Sequence, residues 1–453
     1  MEVEDRSTLL GRLLRASGTP LFRMLMAMVA VVIVGVGGTL IHDSEGLIAL
    51  ACTSSLFLLI AALRFDYLHP TVAFLVPWTV ILSFSVVPIS KYSHPLQTQI
   101  ILFILAAVAV WMVVTVGAEI NFGANHERDA LIRGNNSETP IPRIRLAVSG
   151  AFLILYLLAL FNVAHAGYLP LLSLLTTGNS GYMKFGIPSF YGAYLALANA
   201  LACLALYLYF RLRDRLYSIL FLSVLLLHVL FMTRQNVVTL LVQAVVIRSF
   251  VYKRFSKITL LISFLAFLSL FSLLGTLRSG NIVHIIGVRE RYAWIPTAFI
   301  WLYAYSYFNV LNLSNMITQS GAPFYDGSMW RHLLPSVLRP QYVHASYLQL
   351  ASMNVTSYMY PIYFDVGSAG VKLWTLIWAI VTAYFYRRAV KRGRFDDIAI
   401  YACLFFCALL SFFVDFWFYL PVIFQVVFFA IFQRILFRSP RGQLNESGNL
   451  SYG

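Results

Sequence analysis

IPTAFIWLYAYSYFNVLNLSNMI, residues 295–317, is the stretch on which the topology of the chain turns. It is long and apolar enough to be taken for a membrane span. Its Trp, Tyr and Asn content is instead that of the membrane–water boundary, where amphipathic rings sit at headgroup level. Counting it as a span would also move the cluster Arg387, Arg388, Lys391, Arg392 and Arg394 to the side opposite the other basic loops, unless the segment after it also crosses. The sequence therefore predicts an interfacial or re-entrant helix inside one long loop, residues 277–366.

The rest of the chain is membrane sequence. Its 453 residues are 60% hydrophobic and 11% charged, with 36 Phe and 26 Tyr, a composition foreign to soluble domains. Apolar runs suited to about 30 Å of hydrocarbon fall at 21–41, 47–63, 69–88, 100–118, 146–165, 190–210, 216–232, 237–251, 258–276, 368–386, 397–413 and 416–436. They predict an all-α polytopic membrane protein, a single integral membrane domain with about twelve transmembrane helices. The long loop follows the ninth, and 437–453 forms a tail.

Alternating the loops across the membrane collects most of the 33 Lys and Arg on one side, together with both termini. That side is read as the cytoplasm. The basic residues sit in short clusters between apolar runs, not on one amphipathic face, so the excess over 18 acidic residues argues for topology and against nucleic acid. Residues 1–21 are polar and basic with no small-residue cleavage site after the first apolar run, as in an uncleaved anchor. Cys52, Cys203, Cys403 and Cys407 all fall in apolar runs and read as packing residues, with no disulfide, metal or cofactor site expected. The absence of a six-plus-six repeat argues against a major-facilitator transporter.

Chemistry is sought where polar residues meet the outer loop. Arg234, in FMTRQNVV, lies between two apolar runs with no acidic neighbour in sequence. An arginine in lipid costs about 2.5–3.5 kcal/mol on insertion scales, so it calls for an anion or a hydrogen-bonded place in the packing. The loop holds Arg278 (in LLGTLRSGN), Arg289 and Arg291 around Glu290, Arg331 and Arg339, and no lysine. Guanidinium forks bind phosphate oxygens bidentately, which suits a diphosphate. For Arg289 and Arg291, an ion pair with Glu290 or contact with headgroups is the plainer alternative. His284, His332 and His344 could each act as a general base, and none has metal-ligand spacing. Asp326 reads as a Tyr-Asp-Gly turn. Asp365, in YPIYFDVGSAG, is expected to N-cap a helix beginning near Gly367, or to accept from sugar hydroxyls or an arginine. Tyr303, Tyr305, Tyr307 and Phe308 with Asn309 and Asn312 read equally as an interfacial belt or a carbohydrate-binding strip.

Four pieces together resemble one family: MTRQNVV around Arg234, LGTLRSG with Arg278, YSYFNVLNLSNMI, and NVTSYMYPIYFDVGSAGV ahead of a late span. They lie within roughly residues 220–390, and the chain resembles the O-antigen polymerases, the Wzy-type oligosaccharide repeat-unit polymerases of bacterial envelopes. Thr-Arg-Gln stands where many of that family have small residues on either side of the arginine. The resemblance implies a glycosyltransferase C-like membrane enzyme of the inner membrane. It would transfer a glycan from undecaprenyl diphosphate to a hydroxyl of a new lipid-linked repeat unit, without a metal, at the periplasmic face. Arginines would offset the charge of the departing diphosphate. The residues expected to carry this are Arg278, Arg234, His332 and Asp365 as catalytic groups. Arg289, Arg291, Arg331, Tyr305, Asn309, Asn312 and Tyr363 are expected as substrate contacts. The partners implied are undecaprenyl-diphosphate-linked oligosaccharide, membrane lipid and a chain-length regulator protein. An O-antigen ligase uses the same donor and is one alternative; a polysaccharide flippase or transporter is another.

Overall fold

The computed structural model of the protein describes residues 67–121, 141–252, 257–335, 338–339, 347–350, 352–353 and 355–437. The predicted spans 21–41 and 47–63, and the tail from 438, lie outside the described residues. Each of the other predicted spans carries a helix: α1 (Pro70–Val86), α2 (Thr98–Asn121), α3 (Ile141–Ala166), α5 (Phe190–Leu212), α6 (Arg215–Leu230), α7 (Arg234–Tyr252), α8 (Lys257–Ser279), α11 (Met359–Arg392), α12 (Phe395–Leu409) and α13 (Leu420–Leu436). Between them lie α4 (Pro170–Thr177), α9 (Ile282–Ile285) and α10 (Thr297–Gln319). Five helices among the described residues are long and apolar enough to cross a membrane. The protein is a helical membrane protein.

The helices align into a bundle with two unlike ends. α1 and α2 run antiparallel, with Phe74 stacked on Trp111 (4.4 Å) and Thr71 bonded to Thr115 (2.7 Å). The 87–97 connection between them marks one end, here the loop end. The opposite end gathers charge. There Asp214 caps α6 by accepting from Leu216 N (2.9 Å), and buried Asp397 pairs with Arg388 (2.6 Å).

α11 is not one rod. Gly367 has φ 71° and ψ −168°, a region open essentially to glycine alone, and splits it into 359–366 and 368–392. The two pieces fold back on each other. The Tyr358 hydroxyl lies 2.6 Å from Thr375 Oγ1, 17 residues on, where a straight helix would separate them by about 25 Å. Tyr358 is fully buried against Phe74, Trp78 and Trp417, so the chain ahead of α11 dips into the middle of the bundle before returning to the loop end. α12 and α13 likewise stop short: the 410–419 connection lies at that same depth, with Trp78 Nε1 donating to Ser411 Oγ (2.9 Å).

α10 covers the run 295–317, and its partners explain its composition. Trp301 meets Thr276 on the last turns of α8, Tyr303 donates to Val87 O, and Tyr307 bonds the backbone of His94. Asn309 reaches Phe412 O and Phe413 O, and Asn312 reaches Met353 O and Val355 O. These partners lie on the 87–97 connection, the end of α8, the 410–419 connection and the segment before α11, so the helix crosses the bundle on its loop side. The expected interfacial belt is not found: Tyr303, Tyr305, Tyr307 and Phe308 are all buried. Protein, not headgroups, surrounds the rings.

Placing a side chain at Gly367 tests the hairpin. A Cβ there meets nothing closer than Pro323 at 3.7 Å, so any cost is backbone strain. Gly367→Ala is expected to lower stability by about 1–3 kcal/mol, read as a fall in the thermal unfolding midpoint of the purified protein in detergent. An unchanged midpoint would contradict the hairpin.

Candidate functional site

Arg234 opens α7 after a tight turn from α6, in which Met232 adopts φ 55°. A polar clasp fixes this turn to α5. His228 Nε2 bonds Asn199 Oδ1 (2.9 Å), His228 Nδ1 bonds Thr233 Oγ1 (3.1 Å), and Asn199 Nδ2 donates to Asn236 Oδ1 (2.8 Å). The guanidinium then lies between two rings, 5.2 Å from Phe271 of α8 and 5.1 Å from Tyr305 of α10, and its Nη2 donates to the Tyr305 hydroxyl. Cation–π contact of this kind is worth about 0.5–2 kcal/mol but leaves the N–H groups unmet. Nη1 is enclosed and has no hydrogen-bond partner, and no carboxylate pairs with the side chain among the described residues. An enclosed donor left unbonded costs about 1–3 kcal/mol, which an arriving anion would relieve.

Asp365 does not cap its own helix, as the sequence led us to expect. It is buried within 359–366, and its Oδ1 accepts from Gly327 N (2.9 Å) across the long connection. Phe324 N and Tyr325 N donate to Phe364 O (2.9 Å) and Asp365 O (3.1 Å). The Phe324 ring stacks on Phe364 at 4.5 Å. The break at Gly367 deprives those carbonyls of their helical donors, and the 324–327 segment replaces them. Asp365 is therefore placed to hold the loop.

The amides of α10 do the same on the other flank. Asn309 and Asn312 are buried, and both bind backbone; Asn312 Oδ1 also accepts from Gln349 N (2.8 Å). Tyr363 is half-buried and packs edge-on to Phe103 (5.7 Å).

His332 sits in the 3-10 turn Ser328–Leu333, which Trp330 anchors edge-on against Trp374 (5.5 Å) and Phe418 (4.9 Å). Its ring faces Tyr419 at 6.4 Å. Burial, with Arg339 and Arg331 nearby, lowers the imidazole pKa to about 4, so the ring is neutral at physiological pH. Arg289 N donates to Ile89 O (2.9 Å), docking the 282–292 segment on the 87–97 connection, and the exposed Arg291 lies over the Tyr292 ring (4.8 Å). Arg278 falls on the last turn of α8, its side chain outside what the structure describes, and His344 lies outside the described residues.

The structure thus joins Arg234 to Tyr305, and His332 to Arg331 and Arg339, while Asp365, Asn309 and Asn312 support the loop. Two groups escape the sequence reading. Phe271 looks like any lipid-facing phenylalanine. Asp415, buried between α12 and α13, accepts from Trp417 N (3.2 Å) and Phe418 N (3.3 Å), while its Oδ2 has no partner among the described residues. Its signal was a lone carboxylate among aromatics in SFFVDFWFYL. Compared with family models, curated proteins and solved structures, the chain matches none.

Two measurements follow from this geometry. Asp365→Ala is expected to cost about 1.5–3 kcal/mol, the range for a hydrogen bond to a charged group, and to speed proteolytic cleavage within 320–333. Asp365→Asn, which keeps an acceptor oxygen, should cost less; equal cleavage rates in all three proteins would contradict the loop-holding role. The second concerns His332, whose ring takes a proton more readily in the unfolded chain than in the folded one. Its contribution to stability is complete above about pH 6.5 and is lost as pH falls toward about 4. The unfolding midpoint should drop across that window, and His332→Gln should flatten the drop.

Proposed function

We propose that this chain is a glycan polymerase of the bacterial inner membrane, joining oligosaccharide repeat units carried on undecaprenyl diphosphate. The observation that carries the reading is Arg234: a guanidinium clamped between Phe271 and Tyr305, with one nitrogen enclosed and unbonded and no carboxylate beside it. An anion is what such a group lacks. The resemblance of MTRQNVV, LGTLRSG, YSYFNVLNLSNMI and NVTSYMYPIYFDVGSAGV to the O-antigen polymerases supplies the substrate class.

In this reading the chain has about twelve spans, both termini in the cytoplasm, and the loop end facing the periplasm in a glycosyltransferase C-like arrangement. The collection of Arg211, Arg213, Arg215, Arg248, Arg387 and Arg388 at the opposite end supports that orientation. The acceptor hydroxyl oxygen bonds to the anomeric carbon as the bond from that carbon to the diphosphate oxygen breaks. The hydroxyl proton passes to the departing diphosphate. Arg234 and Arg278 stabilise the charge that grows on the leaving group, with Arg289, Arg291 and Arg331 at the loop surface and Asp365 and Tyr363 ordering the loop over them. A chain-length regulator protein is the expected partner.

Two other readings each have one favouring observation. His332, neutral and in the field of Arg339 and Arg331, suits an O-antigen ligase, which differs in its acceptor. Asp415, a buried carboxylate with an unpartnered oxygen, suits a transporter.

The deciding experiment is the glycan ladder made by membranes carrying Arg234 variants at matched protein level. Arg234→Ala should cut chain extension by about a hundred- to a thousandfold, as loss of one donor to a developing charge does, and Arg234→Lys should rescue poorly because a point charge lacks the bidentate fork. Normal ladders from both would overturn the proposal, and normal ladders with failure to attach glycan to lipid A-core would favour the ligase.

A further inference from the structure

We propose that Arg339, His332, Tyr419 and Tyr191 form a second binding site, separate from Arg234, that takes a carboxylate-bearing sugar of the lipid-linked glycan. This rests on the reading of the substrate as lipid-linked glycan and names which sugars it must contain.

Three segments build the site. The Ser328–Leu333 turn is locked by Trp330 against Trp374 and Phe418, which sets His332 in front of Tyr419. Tyr419 is the residue before α13, and Tyr191 lies in the first turn of α5, which packs on the start of α13: a Cβ on Gly192 would lie 3.7 Å from Pro421 Cγ. The field here is positive. Arg339 and Arg331 act on His332, Arg339 acts on Tyr419, and no carboxylate contributes at either residue.

The donors present are those a sugar acid needs. Arg339 Nη2 donates to Leu334 O (3.1 Å), while its Nε is enclosed with no hydrogen-bond partner among the described residues. The Tyr191 hydroxyl is enclosed and likewise has none among them. One guanidinium edge fits the two oxygens of a carboxylate. Phenol hydroxyls and a neutral imidazole serve hydroxyl groups, and the surrounding rings suit an apolar pyranose face.

The site is also held at a fixed distance from Arg234. Ring contacts run from Tyr305 to Phe413 (5.2 Å), from Phe413 to Phe416 (6.5 Å) and from Phe416 to Tyr419 (6.3 Å). A substrate gripped by its diphosphate at Arg234 can thus present a sugar some residues along at Tyr419.

The test is binding of glucuronate, glucose and inorganic pyrophosphate to the purified full chain in detergent, read by saturation-transfer NMR. Glucuronate should bind about tenfold more tightly than glucose, and Arg339→Gln should remove that preference. Arg339→Lys should recover only part of it, and Tyr419→Phe should weaken it a few-fold. Arg234→Gln should weaken pyrophosphate binding and leave glucuronate binding as it was. Equal binding of glucose, glucuronate binding that ignores Arg339→Gln, or stronger competition by pyrophosphate than by glucuronate at this site would each overturn the proposal. Because the readout is binding and not chain extension, it fails independently of the polymerase reading.

Discussion

A carbonyl stripped of its donor inside an apolar bundle costs several kcal/mol, and the hairpin at Gly367 strips more than one. The carbonyls of Phe364 and Asp365 recover their partners from Phe324 and Tyr325, and the Asp365 carboxylate adds Gly327. That exchange ties the exposed 324–327 segment of the long connection to the bundle. It adds to the hold that buried Tyr358 already has on Thr375 and Ser411, which matters because 359–366 is too short to be a stable helix by itself. The placement of the 3-10 turn with His332 follows from the same docking.

α10 is the second half of this arrangement. Its rings and amides reach the ends of α1, α8 and α12 and the segments before α2 and α11, so a single helix adds bonds to five parts of the bundle. Arg234 depends on it directly, through Tyr305. Aromatic side chains serve well here because each brings a large apolar body and, in Tyr, one polar tip for a backbone carbonyl.

How much of this could be read from sequence depends on the length scale. Apolar runs and cationic clusters predict helices along most of the chain, because span length and charge sorting are properties of whole segments. The hairpin was not legible: YPIYFDVGSAG looks like a loop running into a helix start, and nothing local shows that Gly367 turns one helix against another. The aromatic run was misread in a similar way. A Tyr-rich helix at the membrane surface and one covered by protein have the same composition, and only the partners Val87, His94 and Phe413 distinguish them. For the site, Arg234 stood out because a lone arginine among apolar residues is expensive wherever it lies. Phe271 and Tyr191 could not stand out, since their significance is entirely in what they face.

The clamp on Arg234 has a consequence for how its charge is felt. Mobile ions screen charges over a Debye length of about 8 Å at physiological ionic strength, but only where solvent can reach them. Phe271 and Tyr305 flank the partly buried guanidinium and limit the water that reaches it, so its pull on an anion depends less on salt than that of an exposed arginine. Arg291, exposed over Tyr292, belongs to the opposite regime. The two arginines would separate capture from holding: one attracts from solution and weakens in brine, the other grips at short range and weakens less.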